Sequence, residues 1–286
     1  MMSRRILVLG GTGMLGQPVV RCLAGEGYAV RVLVRDADKA RRTLGETVEI
    51  VEGVATSKGH VQAAMAGCDA VHVNLTQEVE LTATQHVVDL ADGNLERVSY
   101  VSATTVCEEN CWFELVDVKM RAEELLRDSG LPHVVFCPTW VMETLHNFVH
   151  GERAVVIVGQ RPPELHFFAA ADFGRMVASS YGDDRALGKR LFVHGSEGIT
   201  LPDALERFAA CHPHLKVMRL RLWQARLIAR LTGRERMAYV TRLIGYFDRV
   251  GELGDPGEAN ALFGAPAITL DEWLAMPQDG QKGLPH

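Results

Sequence analysis

The chain has 286 residues, 47% of them hydrophobic and 23% charged, enough for one large globular domain or a main domain with a smaller one built on it. A net charge of −6 argues against general nucleic-acid binding, and no run approaches the ~20 apolar residues of a membrane span. The six cysteines include no C-x-x-C, and neither Cys107-x-x-x-Cys111 nor Cys211-His212-Pro213-His214 has a second half at zinc-ligand spacing, so a reducing cytoplasm and no metal are expected.

Ile6, Leu7, Val8 and Leu9 form the short apolar run of a buried parallel strand. Too little apolar sequence precedes the glycines for a signal peptide. Next come Gly10, Gly11, Thr12, Gly13, Met14, Leu15 and Gly16, then an apolar-periodic segment (Val19, Val20, Leu23) that stops at Gly25 and Gly27. The glycines satisfy two spacings at once, Gly11-x-Gly13-x-x-Gly16 and Gly10-x-x-Gly13-x-x-Gly16. Between a strand and a helix, such a turn cradles a pyrophosphate, because the backbone approaches closely and the helix start presents free N–H groups. A dinucleotide is therefore expected. The second strand, over 28–34, runs into Arg35, Asp36 and Lys39. A partner for the ribose is expected roughly 20 residues after the glycines. Arg35 can pair bidentately with a 2′-phosphate and Lys39 can reach the same group, which favours NADP. Asp36 is the competing acid for NAD, or else the N-cap of a helix over 39–44.

Further strands are predicted over 48–54 and 97–102, with another entered from a loop within 68–75, alternating with helices over 61–65 and 80–93. This alternation predicts an α/β protein with a Rossmann-like, doubly wound parallel sheet. A helix begins near Lys119 and a strand over 134–138 ends at Pro138. From residue 150 the chain leaves the nucleotide fold in part: a strand over 154–158, a helix N-capped by Asp172, a strand over 191–194, and a helix over 200–211 with Pro202 near its start. The predicted organisation is an NADP-binding domain over 1–150, a small, mainly helical substrate lobe over 151–277 with returns to the sheet, and a disordered tail over 278–286.

Between 216 and 249, nine basic residues stand against two acids, Glu235 and Asp248. Leu222, Trp223, Leu227, Ile228 and Leu231 recur there at helical spacing, which predicts an amphipathic basic helix or helix pair. It faces an anionic substrate, a protein partner or a membrane surface, or is a solvated face balanced by the acidic remainder.

The glycine turn, Arg35, the strand over 98–102, Lys119 with Glu123, Gly130 and Pro132, and the strand ending at Pro138 resemble the NmrA-like atypical short-chain dehydrogenase/reductase superfamily. The resemblance spans roughly 4–180; later, 168–177 and 267–273 resemble family segments. It implies that the helix at Lys119 packs on the sheet and that Pro138 brings backbone near the nicotinamide. It also implies a tyrosine four residues before the lysine, yet position 115 is Leu115, and no tyrosine stands between Tyr100 and Tyr181. Lys119 then either acts directly as acid or base, as the resemblance to isoflavone-reductase-like relatives implies, or only fixes the nicotinamide ribose. Ser102 matches the family's substrate-orienting hydroxyl, or caps the strand end; Thr104 and Thr105 are weaker versions of it. Trp140, Met142, His146 and Asn147 are expected to line a cleft suited to a flat apolar substrate, or to be core. His146 and His166 are candidates for the missing acid. The reading is an NADP-dependent reductase of an apolar or aromatic carbonyl or enone. The alternative is a non-catalytic NADP(H) sensor or assembly factor acting through a partner.

Overall fold

A computed structural model describes residues 4–93 and 95–276. Its first half alternates strand and helix: β1 (Arg5–Leu9), α1 (Gly16–Gly25), β2 (Ala29–Val34), α2 (Ala37–Leu44), β3 (Glu49–Glu52), α3 (Lys58–Met65), β4 (Ala70–Val73), α4 (Gln77–Leu90), β5 (Arg97–Val101), α5 (Glu114–Asp128) and β6 (His133–Pro138). There follow β7 (Val149–His150), β8 (Arg153–Val158), β9 (Glu164–His166), α6 (Ala170–Ser180), β10 (Arg190–Val193), β11 (Gly198–Thr200) and α7 (Leu201–Ala210). The last elements are β12 (Lys216–Arg221), α8 (Leu222–Thr232), α9 (Glu235–Phe247), α10 (Gly257–Phe263) and α11 (Leu270–Ala275). They group into two compact units.

The first unit takes the chain through Pro138, then Ala170–Val193 and Gly254–Pro266. Its sheet has seven strands in the order β10-β6-β5-β4-β1-β2-β3, every neighbouring pair parallel. The order reverses at β1, which lies between β4 and β2, and a doubly wound sheet binds ligands outside the strand ends at such a switch point. Ile6, Leu7, Val8 and Leu9 are wholly buried, as a central strand covered on both faces requires. On one face α1 and α6 touch backbone to backbone: a Cβ on Gly174 would lie 2.7 Å from the Pro18 carbonyl. Asp172 does not cap α6. The alanines before it are strong helix formers, the helix starts at Ala170, and Asp172 sits in the first turn, 3.4 Å from Arg175.

The second unit comprises Thr139–Ala169, His194–Leu253 and the chain from Ala267 onward. It carries more strand than expected: β12 pairs parallel with β8, β7 antiparallel with β8, and β11 antiparallel with β9. The core includes Leu145, Phe167, Leu205, Phe208 and Trp273. As expected, α7 opens with Thr200, whose side chain caps the Asp203 N–H, and with Pro202 in its first turn. The basic segment, by contrast, starts as strand rather than helix, because residues 216–221 find a distant partner in β8 that local periodicity does not reveal. The predicted apolar face of α8 is split between core and solvent. Leu222, Ala225 and Ala229 are buried, while Trp223, Leu227 and Leu231 are exposed. Among the described residues no helix is long and apolar enough to cross a membrane. The predicted tail over 278–286 lies outside the described residues.

Candidate functional site

The glycine turn joins β1 to α1 at the switch point of the sheet. Gly10 has φ +87°, and a Cβ there would lie 1.8 Å from the Asn74 carbonyl oxygen, so only glycine fits. A Cβ on Gly16 would lie 2.1 Å from the Gly10 oxygen, and one on Gly11 2.9 Å from Val32 Cγ1. The turn is tied internally: the Gly13 N–H donates to the Gly10 carbonyl at 3.0 Å, the Gln17 N–H to Gly13 at 3.0 Å, and Gln17 Nε2 to Thr12 at 3.0 Å. Met14 is half-buried, and Leu15 occupies the N-cap of α1 with no side-chain capping bond and no acid in the first turn. A helix start without a covering side chain or repelling carboxylate, approached by bare backbone, fits a pyrophosphate.

Beyond β2, Asp36 is the N-cap of α2, its carboxylate accepting the Lys39 N–H at 2.8 Å. Arg35 and Lys39 are exposed, and the Arg35 guanidinium has no ion-pair partner among the described residues. Of the two candidates for the ribose, the acid is engaged in a local cap while the arginine stands open.

At the other side of the switch point, Lys119 of α5 donates to Glu80 Oε1 at 2.8 Å and to the Val101 carbonyl at 2.9 Å. Glu80, on α4, is 1% exposed and also accepts the Tyr100 hydroxyl. The Lys119 ammonium lies 5.5 Å from the centre of the Tyr100 ring. Burial, with the Glu80 carboxylate beside it, pushes the Tyr100 phenol well above its ordinary value. Tyr100 is therefore sealed away as a proton donor. Ser102 is buried at the end of β5, and its hydroxyl donates to Glu123, which pairs with Arg190 at 2.8 Å. Thr104 and Thr105 are buried beyond it, and the Thr104 N–H donates to the Pro138 carbonyl at 3.1 Å. Position 115 holds a half-buried Leu115. The turn, Arg35, Lys119, Ser102 and Pro138 thus share the first unit. Glu80 and Arg190 were not singled out by sequence reasoning, and Glu123 entered only as part of the family motif. The signal was present in Glu80, which shares the buried stripe of α4 with Ala83, Thr84 and Val87, where an apolar residue is the rule.

Thr104 apart, the substrate candidates lie in the second unit and separate there. Met142 is core. Trp140 packs against Phe167 and Phe247, with ring centres at 6.1 and 5.1 Å. His146 sits edge-on to Phe208 at 5.0 Å and to Trp273 at 5.6 Å. Asn147 lines a cavity of about 900 Å³ with Phe148, Arg153, Met218 and Arg234. His166 is bonded to Glu252, its Nδ1 at 2.7 Å from Oε2.

A parallel sheet reversing at a glycine-rich, uncapped helix start defines a dinucleotide-binding protein. Residues 10–164 match the profile of the NAD(P)H-binding family, and the chain belongs to that family. This accords with the resemblance to the NmrA-like short-chain dehydrogenases. Among curated proteins it is 29% identical over 141 residues to the photosystem II assembly factor Ycf39 of Cyanophora paradoxa, covering 46% of this chain and 44% of that one. The chain spans about half the length, or less, of the curated relatives it matches. Its fold is shared with a nucleoside-diphosphate-sugar epimerase from Staphylococcus aureus, at TM-score 0.76 and 16% identity over 95% of this chain and 100% of that one. It is shared equally with the NADPH-dependent quinone oxidoreductase of Escherichia coli, solved with NADPH, at TM-score 0.75 and 20% identity over 94% and 98% of the two chains.

Proposed function

We propose that this chain is an NADPH-dependent reductase of a flat, conjugated, apolar acceptor such as a quinone or an enone. The observation that carries this reading is a nicotinamide-binding unit with Leu115 at the family's tyrosine position and Tyr100 sealed beneath Glu80. The bound cofactor supplies a hydride. An isolated carbonyl that accepts it becomes an alkoxide, which needs a positioned acid. A quinone becomes a phenolate, whose conjugate acid titrates near roughly 10, so water can complete the reaction. The same reasoning disfavours epimerisation, which resembles the tyrosine-dependent branch of the superfamily. In this reading the glycine turn holds the pyrophosphate, Arg35 and Lys39 hold a 2′-phosphate, and Lys119 fixes the ribose. Ser102, tied to Glu123, sets the end of β5. Six free thiols suit a reducing compartment such as the cytoplasm.

The test is a titration with NADPH and NADH followed by nicotinamide fluorescence, for wild type and Arg35→Ala. NADPH is expected to bind at least tenfold more tightly, about 1.4 kcal/mol, and the preference to vanish in the variant. NADPH consumption should then follow with quinones and not with simple ketones. Equal, weak binding of both nucleotides overturns the cofactor assignment, and turnover of ketones alone overturns the acceptor class.

A second reading, an NADP(H)-sensing assembly factor without turnover, is favoured by the outward Trp223, Leu227 and Leu231 on α8 among exposed arginines. Similarity to a protein named as an assembly factor adds to it.

A further inference from the structure

We propose that His166, His194 and Glu252 form a binding site for a divalent transition-metal ion, and that zinc is the ion their chemistry suits. One ligand atom from each lies within 4.8 Å of the other two. Two imidazoles and one carboxylate are a borderline N/O donor set of the kind zinc takes, with the remaining position left to water or a substrate oxygen.

The three residues come from distant stretches of one compact unit: His166 ends β9, His194 precedes β11, and Glu252 lies beyond α9. The approach of the first two is built into the backbone. The Gly195 N–H donates to the His166 carbonyl at 2.9 Å, and a Cβ on Gly195 would lie 1.8 Å from the Phe167 carbonyl oxygen. Only glycine lets the chain carrying His194 run this close to the end of β9. The two imidazole rings are then nearly parallel, 21° apart in plane, with centres at 5.7 Å.

Glu252 is oriented by its own supporting bonds. Its Oε1 accepts the His166 backbone N–H at 2.8 Å and the Thr139 hydroxyl, which directs Oε2 toward the imidazoles. Such outer partners are what fix the ligands of a metal site. The Glu252 side chain is 7% exposed, whereas that of His166 is 40% exposed, so the cluster is buried on one side and open to an entering ion on the other. His166 Nδ1 and Glu252 Oε2 stand 2.7 Å apart, at hydrogen-bond distance. Metal–ligand bonds near 2.1 Å place tetrahedral ligands about 3.4 Å apart, so an ion seated between them opens the pair by about 0.7 Å.

The test uses full-length protein dialysed against EDTA and titrated with Zn²⁺ by calorimetry and with Co²⁺ by visible absorption. One equivalent is expected to bind at micromolar Kd or tighter. His194→Ala and Glu252→Gln should each weaken binding at least a hundredfold, and Thr139→Ala, which only positions Glu252, by roughly ten- to a hundredfold. Thermal unfolding of the same metal-free variants checks folding and needs neither the metal nor NADPH. Failure of the reductase reading thus leaves this result standing, and the reverse holds as well. Absence of saturable binding, or affinity unchanged in the variants, overturns the site. If a variant does not fold, the wild-type Co²⁺ spectrum decides. Tetrahedral bands without thiolate charge transfer support the assignment, and a thiolate band or an octahedral spectrum overturns it.

Discussion

His72 illustrates how much one side chain in the sheet controls. It is fully buried on β4, with Nδ1 2.7 Å from the Ser99 hydroxyl, which in turn lies 2.6 Å from the Tyr181 hydroxyl. Burial holds the imidazole down, from 6.5 to about 3. The folded chain therefore keeps His72 neutral where the unfolded chain takes up a proton. Stability is full above 6.5 and falls as the pH drops from there toward 3, because the unfolded state binds more protons. Between pH 8 and pH 5 this one residue should cost about 2 kcal/mol. Urea unfolding at the two pH values measures it, and His72→Asn should lose that share of the pH dependence. Equal slopes in wild type and variant would assign the acid sensitivity to another group.

Between elements, the decisive joint is the α4–α5 pair across the end of β5. Removing Lys119 leaves the Glu80 carboxylate, 1% exposed, with only the Tyr100 hydroxyl in place of an ion pair. Breaking a buried pair from one side costs about 3–5 kcal/mol. Lys119→Met should therefore lower the unfolding free energy by an amount in that range, and the double variant Lys119→Met/Glu80→Gln should recover a large part of it. Denaturant unfolding of both variants and of Glu80→Gln gives the coupling. A loss of NADPH binding larger in Lys119→Met than in the double variant would trace the defect to the stranded carboxylate. Equal losses would place the lysine itself on the cofactor. This joint also marks how far the sequence could be read. The β1–turn–α1 unit and the Arg35 position were legible because they rest on local spacing and on glycines that nothing else can replace. Glu80 and Glu123 were not, since a carboxylate in a buried helical stripe reveals itself only through the distant groups it meets. The same holds for β12, whose partner is β8, and for the His166, His194 and Glu252 cluster, assembled from three separated stretches. The start of α6 was misplaced for a smaller reason: the alanines ahead of Asp172 extend the helix past the residue that looked like its cap.

For the molecule as a whole, charge and exposed apolar surface concentrate in one segment. In a chain of net charge −6, residues 216–249 carry nine basic residues against two acids. Trp223, Leu227 and Leu231 stand on α8 at 60, 49 and 76% exposure, spaced so that they share one face. Arg226, Arg230 and Arg234 are exposed on or just beyond the same helix. An apolar stripe rimmed by arginine suits an acidic protein surface with apolar residues at its centre. Burying a tryptophan or leucine contributes roughly 1.5–3 kcal/mol each, so the three together decide whether such a complex forms. A triple substitution Trp223→Gln, Leu227→Gln, Leu231→Gln keeps good helix formers and should change the unfolding midpoint and NADPH affinity little, because each side chain removed is already about half or more exposed to water. It should weaken binding to a partner recovered with the wild-type protein at least a hundredfold, and raising the salt should weaken the wild-type complex as well. If the triple variant retains its partner, the stripe is an idle surface and the sensing role loses the observation that favours it. If binding is lost while quinone reduction continues, the same chain carries an activity in one unit and a docking face in the other, and the two readings cease to be rivals.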